Sequence, residues 1–299
     1  MKMNDVAIVT GASSGIGLEV SKVLCKLGYE VYGIGRTFQE QDLMQFQNNS
    51  IQVVSHEEFL KVEKTKIDSQ EVGREDANTE EVNTEEVNTE EINTEEVNTD
   101  EANRDDSVGC KGIVHPIICD LLDTGKLENT IRTIKKEKCV KVLVNNAGAG
   151  YYGLHEELNP GKIREMVRVN LEVPMVLTNL LLRDIKKAKG TIINISSVTA
   201  TSSNPHGCAY GATKAGLTSF AHSLFDEARK YGVKVINIQP DMTKTNLYRN
   251  ANFTNSEEEG AYLLPEDVAG AVEFVLSRRE GCLVTDISLK PQFHRIQRK

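Results

Sequence analysis

Seven short runs rich in β-branched residues alternate with helix-length amphipathic stretches: VAIVT (6–10), EVYGIGR (30–36), IVHPIICD (113–120), VKVLVNN (140–146), GTIINISS (190–197), VKVINIQP (233–240) and LVTDISLKP (283–291). Most are apolar at consecutive positions, the pattern of parallel strands covered on both faces, whereas half-exposed antiparallel strands alternate. Helices fit between them at about 15–27, 124–137, 160–187, 208–230 and 265–278, where Pro265, Glu266 and Asp267 read as a first helical turn. The order predicts an α/β fold with a single doubly wound parallel sheet of about seven strands. Its ligand would lie in the crevice at the carboxyl ends of the strands.

One gap breaks the alternation, from Thr37 to Gly112, and its middle is NTEEVNTEEVNTEEINTEEVNTDEA at 78–102. A five-residue step turns a helix by about 140° net, so Val82, Val87, Ile92 and Val97 scatter around the axis. In a strand the odd step alternates faces. Neither conformation gathers these residues for burial, and the paired glutamates repel, so the sequence predicts a disordered or fraying, solvated insertion at about 50–110. It interrupts one expected domain spanning 1–299. The segment lacks the glycine turn and ligand spacing of a calcium loop.

Residues 68–106 hold sixteen Asp and Glu against two Arg, so the rest of the chain carries about +5 beside an overall charge of −9. That mildly basic body suits an anionic small ligand, and its dispersed Lys and Arg argue against a nucleic-acid groove. The six cysteines form no CxxC pair, and neither a metal site nor a disulfide framework is expected. No apolar run approaches the roughly 20 residues that span a bilayer, and the opening MKMNDVAIVTGASSGIG breaks at Gly11 before a signal core develops. No membrane partner is expected, and a cytoplasmic location is.

VAIVTGASSGIG places Gly11, Gly15 and Gly17 after a strand and at the start of a helix. Such glycines let the backbone approach a pyrophosphate, which the free N–H groups and dipole of the helix amino terminus stabilise. Alone, the same turn also serves a plain strand-to-helix connection. The second strand ends in GIGRT, where a fold binding NAD(H) favours an acidic residue for the ribose hydroxyls. Here Arg36 stands, able to grip a 2′-phosphate bidentately with a hydroxyl from Ser13 or Ser14, so NADP(H) is favoured over NAD(H). A solvated Arg at a strand end is the alternative.

YGATK puts Tyr210 and Lys214 on one helical face. An ammonium beside a phenol lowers its pKa, which fits Tyr210 for exchanging a proton with a carbonyl or alcohol oxygen. Ser197, thirteen residues upstream, is placed to hold the same oxygen. In isolation Tyr-x-x-x-Lys is a frequent surface pair.

Together TGASSGIG, CDLLD, NNAG, VNL, NISS, Tyr210-x-x-x-Lys214 and QPDMTKT make the chain resemble the short-chain dehydrogenase/reductase family, over nearly its whole length outside the insertion. The resemblance implies a Rossmann-type sheet and a catalytic set of Asn170, Ser197, Tyr210 and Lys214. Asn170 would help hold a relay water, Ser197 orient the substrate, and Lys214 bind the nicotinamide ribose. It implies cofactor contacts from Gly11, Ser13, Ser14, Gly15, Ile16, Gly17 and Arg36. Asp120 and Leu121 would lie beside the adenine, and Asn146, Ala147 and Gly148 along the ribose. Pro240, Thr243 and Thr245 would meet the nicotinamide and pyrophosphate, with Tyr210 and Lys214 completing the set. The family's usual glycine after the loop proline is Asp241 here, which takes positive φ at higher cost and brings a carboxylate to the site.

PEDVAGAVEFVLSRREGCLVTDISLKP is similar to the ending of the NADP-dependent 3-hydroxy acid dehydrogenase subgroup. On that reading Tyr151, Tyr152, His155, Asn204 to His206, Leu247 and Tyr248 line the substrate pocket. The expected protein is an NADP(H)-dependent oxidoreductase interconverting a secondary alcohol and a ketone or aldehyde of a small metabolite, a 3-hydroxy acid among them. The resemblance further implies a homodimer or homotetramer paired through the helices near 160–187 and 208–230. A rival expectation is a nucleotide-sensing or scaffolding protein whose acidic insertion binds a partner.

Overall fold

The computed structural model describes residues 5–55, 112–293 and 295–299. The repeat at 78–102, and with it the expectation of disorder, lies outside them. Residues 1–56 and 111–299 form one compact unit, and 57–110 are assigned to a second that lies outside the described residues.

The chain builds β1 (Val6–Thr10), α1 (Gly15–Lys26), β2 (Glu30–Gly35), α2 (Glu40–Gln47), β3 (Gln52–Val53), β4 (Ile113–Ile118), α3 (Thr124–Glu137) and β5 (Val140–Asn145). There follow α4 (Pro160–Val167), α5 (Val173–Lys187), β6 (Thr191–Ile195), α6 (Cys208–Ala228), β7 (Lys234–Pro240), β8 (Phe253–Asn255), α7 (Pro265–Leu276), β9 (Asp286–Leu289) and β10 (Ile296–Arg298). Among the described residues, eight strands form one sheet in the order β3-β4-β2-β1-β5-β6-β7-β9, every pair parallel. The direction of winding reverses between β1 and β5, and a ligand crevice opens at the carboxyl ends of such a pair.

The seven strands expected from the sequence are all present. α1, α4 and α7 start at the expected residues, and Asp267 accepts the Leu264 N–H at 2.7 Å to close the first turn of α7. The eighth strand, β3, extends the sheet past β4. The helix expected over 160–187 is divided by a π-turn at Arg168–Glu172 between α4 and α5.

One sheet face packs against α1 and α7 through Leu18, Val20, Leu24, Val268, Val272 and Val275. Leu127, Ile131, Leu177, Leu181 and Leu217 are buried on α3, α5 and α6. Truncating one such side chain to Ala costs about 2–5 kcal/mol, because the surroundings close the void only in part.

Two features lie away from the crevice. At the amino end of β2, the buried Glu30 carboxylate accepts from Tyr32 Oη at 3.0 Å and Lys138 Nζ at 2.8 Å, and meets His115 Nε2 at 2.9 Å. Among the described residues, β3 stands at the sheet margin and pairs with Ile113 and Val114 of β4. Gln52 N–H donates to the Gly112 carbonyl at 2.8 Å and Val54 N–H to that of Val114 at 2.9 Å, so even-numbered residues there point toward β3. The next even position is Pro116, which has no N–H to offer.

Candidate active site

The glycine turn joins β1 to α1 at the centre of the sheet. Gly11 and Gly15 take φ of +68° and +54°, which other residues adopt only with strain. At Gly17 a Cβ would lie 2.1 Å from the Gly11 carbonyl oxygen, so any side chain would break the turn. Thr10, which the sequence reading passed over, ties the turn to the loop after β5. Its hydroxyl accepts the N–H groups of Asn146 and Ala147, both at 3.0 Å, and Asn146 Nδ2 donates to the Thr10 carbonyl at 2.9 Å. Ser14 precedes α1 without a side-chain capping bond, leaving the first N–H groups of the helix to other acceptors.

A cavity of about 390 Å³ opens over this turn. At one end it is lined by Ser13, Arg36, Asp120 and Leu121, and at the other by Ser197, Tyr210, Lys214 and Leu247. Gly11, Ser14, Gly15, Ile16, Asn146, Ala147, Gly148, Pro240, Thr243 and Thr245 line the stretch between. A Cβ on Gly35 would meet Ser13 Oγ at 3.2 Å, which places that hydroxyl against the last residue of β2. A Cβ on Gly15 would meet the Thr245 methyl at 3.2 Å, so the loop after β7 packs down onto the glycine turn. Asp241, Glu165, Tyr248 and Arg249 also line the cavity. Asp241 avoids positive φ and turns its Oδ1 onto the Met242 N–H at 2.8 Å, so the loop accommodates a non-glycine residue there.

Tyr210 and Lys214 lie one turn apart on α6, 5% and 4% exposed. Burial pushes the Tyr210 phenol up to about 12, against the pull of a hydrogen bond from Ser197. Burial likewise draws the Lys214 ammonium down to about 8. Burial sets the direction of both shifts, because desolvation disfavours the charged form of each group. Ser196 fixes α6 against β6: its hydroxyl donates to the Lys214 carbonyl at 3.1 Å and meets Thr218 Oγ1 at 2.8 Å.

Asn170 lies within the π-turn, fully buried. Its Oδ1 accepts the Ala149 N–H at 2.8 Å, and its Nδ2 donates to the Ala149 carbonyl at 2.9 Å and to Thr213 Oγ1 at 3.0 Å. The side chain thereby holds the loop after β5 against α6, with all its donors engaged.

Of the residues expected around a substrate, Leu247 and Tyr248 line the cavity. The Tyr152 ring stands 5.5 Å from that of Tyr210. Tyr151 is diverted: its hydroxyl donates to Glu165 at 2.9 Å and accepts from Lys162 at 3.0 Å. His206 and His155 are exposed outside the cavity lining, His206 with φ of +62° and its carbonyl accepting the Gly153 N–H at 2.8 Å.

The comparisons with known proteins agree with this architecture. The family model of the short chain dehydrogenases matches residues 77–256. A 3-oxoacyl-(acyl-carrier-protein) reductase of Rickettsia bellii is 29% identical over 171 residues, 55% of this chain and 70% of its own. An NADP-dependent 3-hydroxy acid dehydrogenase of Schizosaccharomyces pombe is 28% identical over 188 residues, 60% of this chain and 72% of its own. Among solved structures, an alcohol dehydrogenase from Thermococcus sibiricus complexed with 5-hydroxy-NADP superposes with a TM-score of 0.68 at 21% identity, covering 98% of this chain and 99% of that one. The structural likeness concerns the fold, and the match over 77–256 is to the sequence itself: the chain belongs to the short chain dehydrogenase family.

Proposed function

We propose that the protein is an NADP(H)-dependent oxidoreductase that interconverts an alcohol and its carbonyl, a secondary alcohol with a ketone or a primary alcohol with an aldehyde, with Tyr210 as the proton-transferring group. The observation that carries this reading is the single cavity that joins Arg36 and the glycine turn at one end to Ser197, Tyr210 and Lys214 at the other. The lining fits NADP(H): the side-chain-free approach at Gly11 and Gly15 suits a pyrophosphate, and Arg36 and Ser13, which line the same cavity, suit a 2′-phosphate. When bound, the nicotinamide supplies the redox half of the reaction by exchanging a hydride with the substrate carbon.

The chain's own residues carry the rest. Tyr210 holds its proton at neutral pH, so it donates to a carbonyl oxygen during reduction and takes the proton back during oxidation. Ser197 steadies that oxygen. Lys214 stabilises negative charge on the phenol oxygen as the proton leaves. Asn170 keeps the loop after β5 in register with α6.

The relatives named for 3-oxoacyl reduction and for 3-hydroxy acid oxidation support a small oxo or hydroxy acid as the first substrates to try. Pairing of two copies through α4, α5 and α6 belongs to the same reading, supported by the exposed apolar Val167 and Met175.

The test is oxidation of NADPH and NADH against a panel of ketones, keto acids and aldehydes, followed by the reverse reaction on hydroxy acids. Turnover with NADPH is expected. Tight NADPH binding without turnover on any of them would overturn the enzymatic reading in favour of a nucleotide-binding protein.

A further inference from the structure

β8 and β10 form a second, two-stranded sheet apart from the main one. They run antiparallel, with Phe253 opposite Arg298, Thr254 opposite Gln297 and Asn255 opposite Ile296. Bonds beyond the ladder prolong the pairing at both ends. Phe293 N–H donates to the Gly260 carbonyl and Lys299 N–H to that of Asn252, both at 2.9 Å, and Arg295 pairs with Glu258. Lys299 then reaches further: its Nζ donates to the carbonyls of Tyr248 at 2.8 Å and Arg249 at 3.3 Å. Those carbonyls belong to the 3-10 turn Asn246–Asn250, whose Leu247 and Tyr248 line the cavity.

The gripped segment carries an aromatic wall. The Phe253 ring lies 5.2 Å from Tyr152, edge-on, and 5.5 Å from Tyr248. Tyr152 lies 5.9 Å from Tyr248 and 5.5 Å from Tyr210. A chain of rings therefore connects the backbone held by Lys299 to the Tyr210 phenol. Two strands of three residues do not hold together unaided. Ile296, Gln297 and Arg298 are all exposed, so the order of this segment rests on the rings, on the ladder and on the bonds of Phe293, Arg295 and Lys299.

We propose that Lys299, seated by strand β10, is a positioning residue for the substrate pocket: it fixes the turn at Asn246–Asn250 so that Tyr248 and Phe253 stand against Tyr152 beside Tyr210. Pre-ordering this wall spares substrate binding the entropy of ordering it. The role in turnover rests on the reading of Tyr210 as the proton-transferring group. The grip itself does not.

The experiment compares the full chain, Lys299→Ala, Lys299→Arg and a deletion of residues 295–299. Amide hydrogen exchange is followed over 246–256, and KM and kcat are measured with NADPH and a carbonyl substrate. Loss of a lysine bonded to two carbonyls is expected to speed exchange over 246–256 by about tenfold, in Lys299→Ala and in the deletion. Exchange in β1, β5 and β6 stays as in the full chain. KM rises by about five- to tenfold while kcat changes by less than about twofold, and Lys299→Arg restores both readouts. Exchange over 246–256 in Lys299→Ala equal to that of the unaltered chain overturns the proposal, whatever the activity. Because exchange needs no turnover, an inactive protein whose segment loosens in Lys299→Ala keeps the positioning role and loses the oxidoreductase reading.

Discussion

Lys214 Nζ lies 5.9 Å from the centroid of the Tyr210 ring and donates to the Ile195 carbonyl at 2.7 Å, so the lysine is held by the strand beneath it. The phenol meanwhile stays protonated through neutral pH, raised to about 12 by burial. Tyr210→Phe keeps the ring and its packing and removes the hydroxyl, and with it the transferable proton. Turnover is expected to fall by about 10²–10⁴, the usual contribution of a positioned acid-base group. NADPH affinity should stay within about twofold. Single-turnover kinetics and fluorescence titration of NADPH measure the two, and ordinary turnover in the variant would remove Tyr210 from the mechanism.

Arg36 stands exposed just past the end of β2 and lines the cavity with Ser13, and the residue before it is Gly35, not an acidic one. Arg36→Leu removes a cation suited to a 2′-phosphate and leaves the glycine turn intact. The expected loss in kcat/KM is about 10- to 100-fold with NADPH, the range of a charge-assisted pair, and less than about threefold with NADH. Equal losses with both cofactors would show that Arg36 does not read the phosphate.

Glu30 sets an acid limit on stability. Burial alone would raise its pKa, but hydrogen bonds from His115 and Lys138 prevail and lower it from 4.5 to about 2. A carboxylate depressed in the folded state contributes stability that is complete above its unfolded value and fades as pH falls from about 5 toward 2, on the order of 3 kcal/mol in all. Denaturation of Glu30→Gln should therefore show a deficit of that order at pH 7 that narrows steadily toward pH 2. A deficit independent of pH would mean that packing, not charge, accounts for the residue.

The insertion can be shortened on topological grounds. Val53 and Val114 lie side by side in one parallel ladder, so the chain must leave β3 and return to the start of β4. Removing 68–106 leaves about 20 positions for that return, above the roughly dozen that a parallel connection needs. The shortened protein is expected to keep its melting temperature within a few degrees and its turnover within about twofold. Loss of either would tie the acidic repeat to the working of the fold.

The sheet was legible because continuous apolar runs such as VAIVT and VKVLVNN admit few alternatives between helix-length stretches. α2 was not, because EQDLMQFQ buries only Phe46 and offers no stripe, and β3 is two residues defined by its ladder alone. The π-turn at Arg168–Glu172 hides inside a helical period that continues on either side. At the site, fixed spacing carried Ser197, Tyr210 and Lys214 into one cavity. The resemblance that set Tyr151 in the substrate pocket carried no sign of Glu165 and Lys162, which engage its hydroxyl. Spacing was silent on Phe253 and Lys299, whose places depend on pairing between segments about forty to fifty residues apart.

Pro116 bears on how copies of this protein coexist in solution. Past Val114, β4 has no outer strand among the described residues, and an uncovered margin of this kind is a template on which a neighbouring molecule can add a strand. The proline occupies the first outward-pointing position beyond β3 and withholds the donor that an incoming strand would need. Among the described residues, that position of the margin therefore offers an acceptor and no donor, a feature set by one imino acid in the strand.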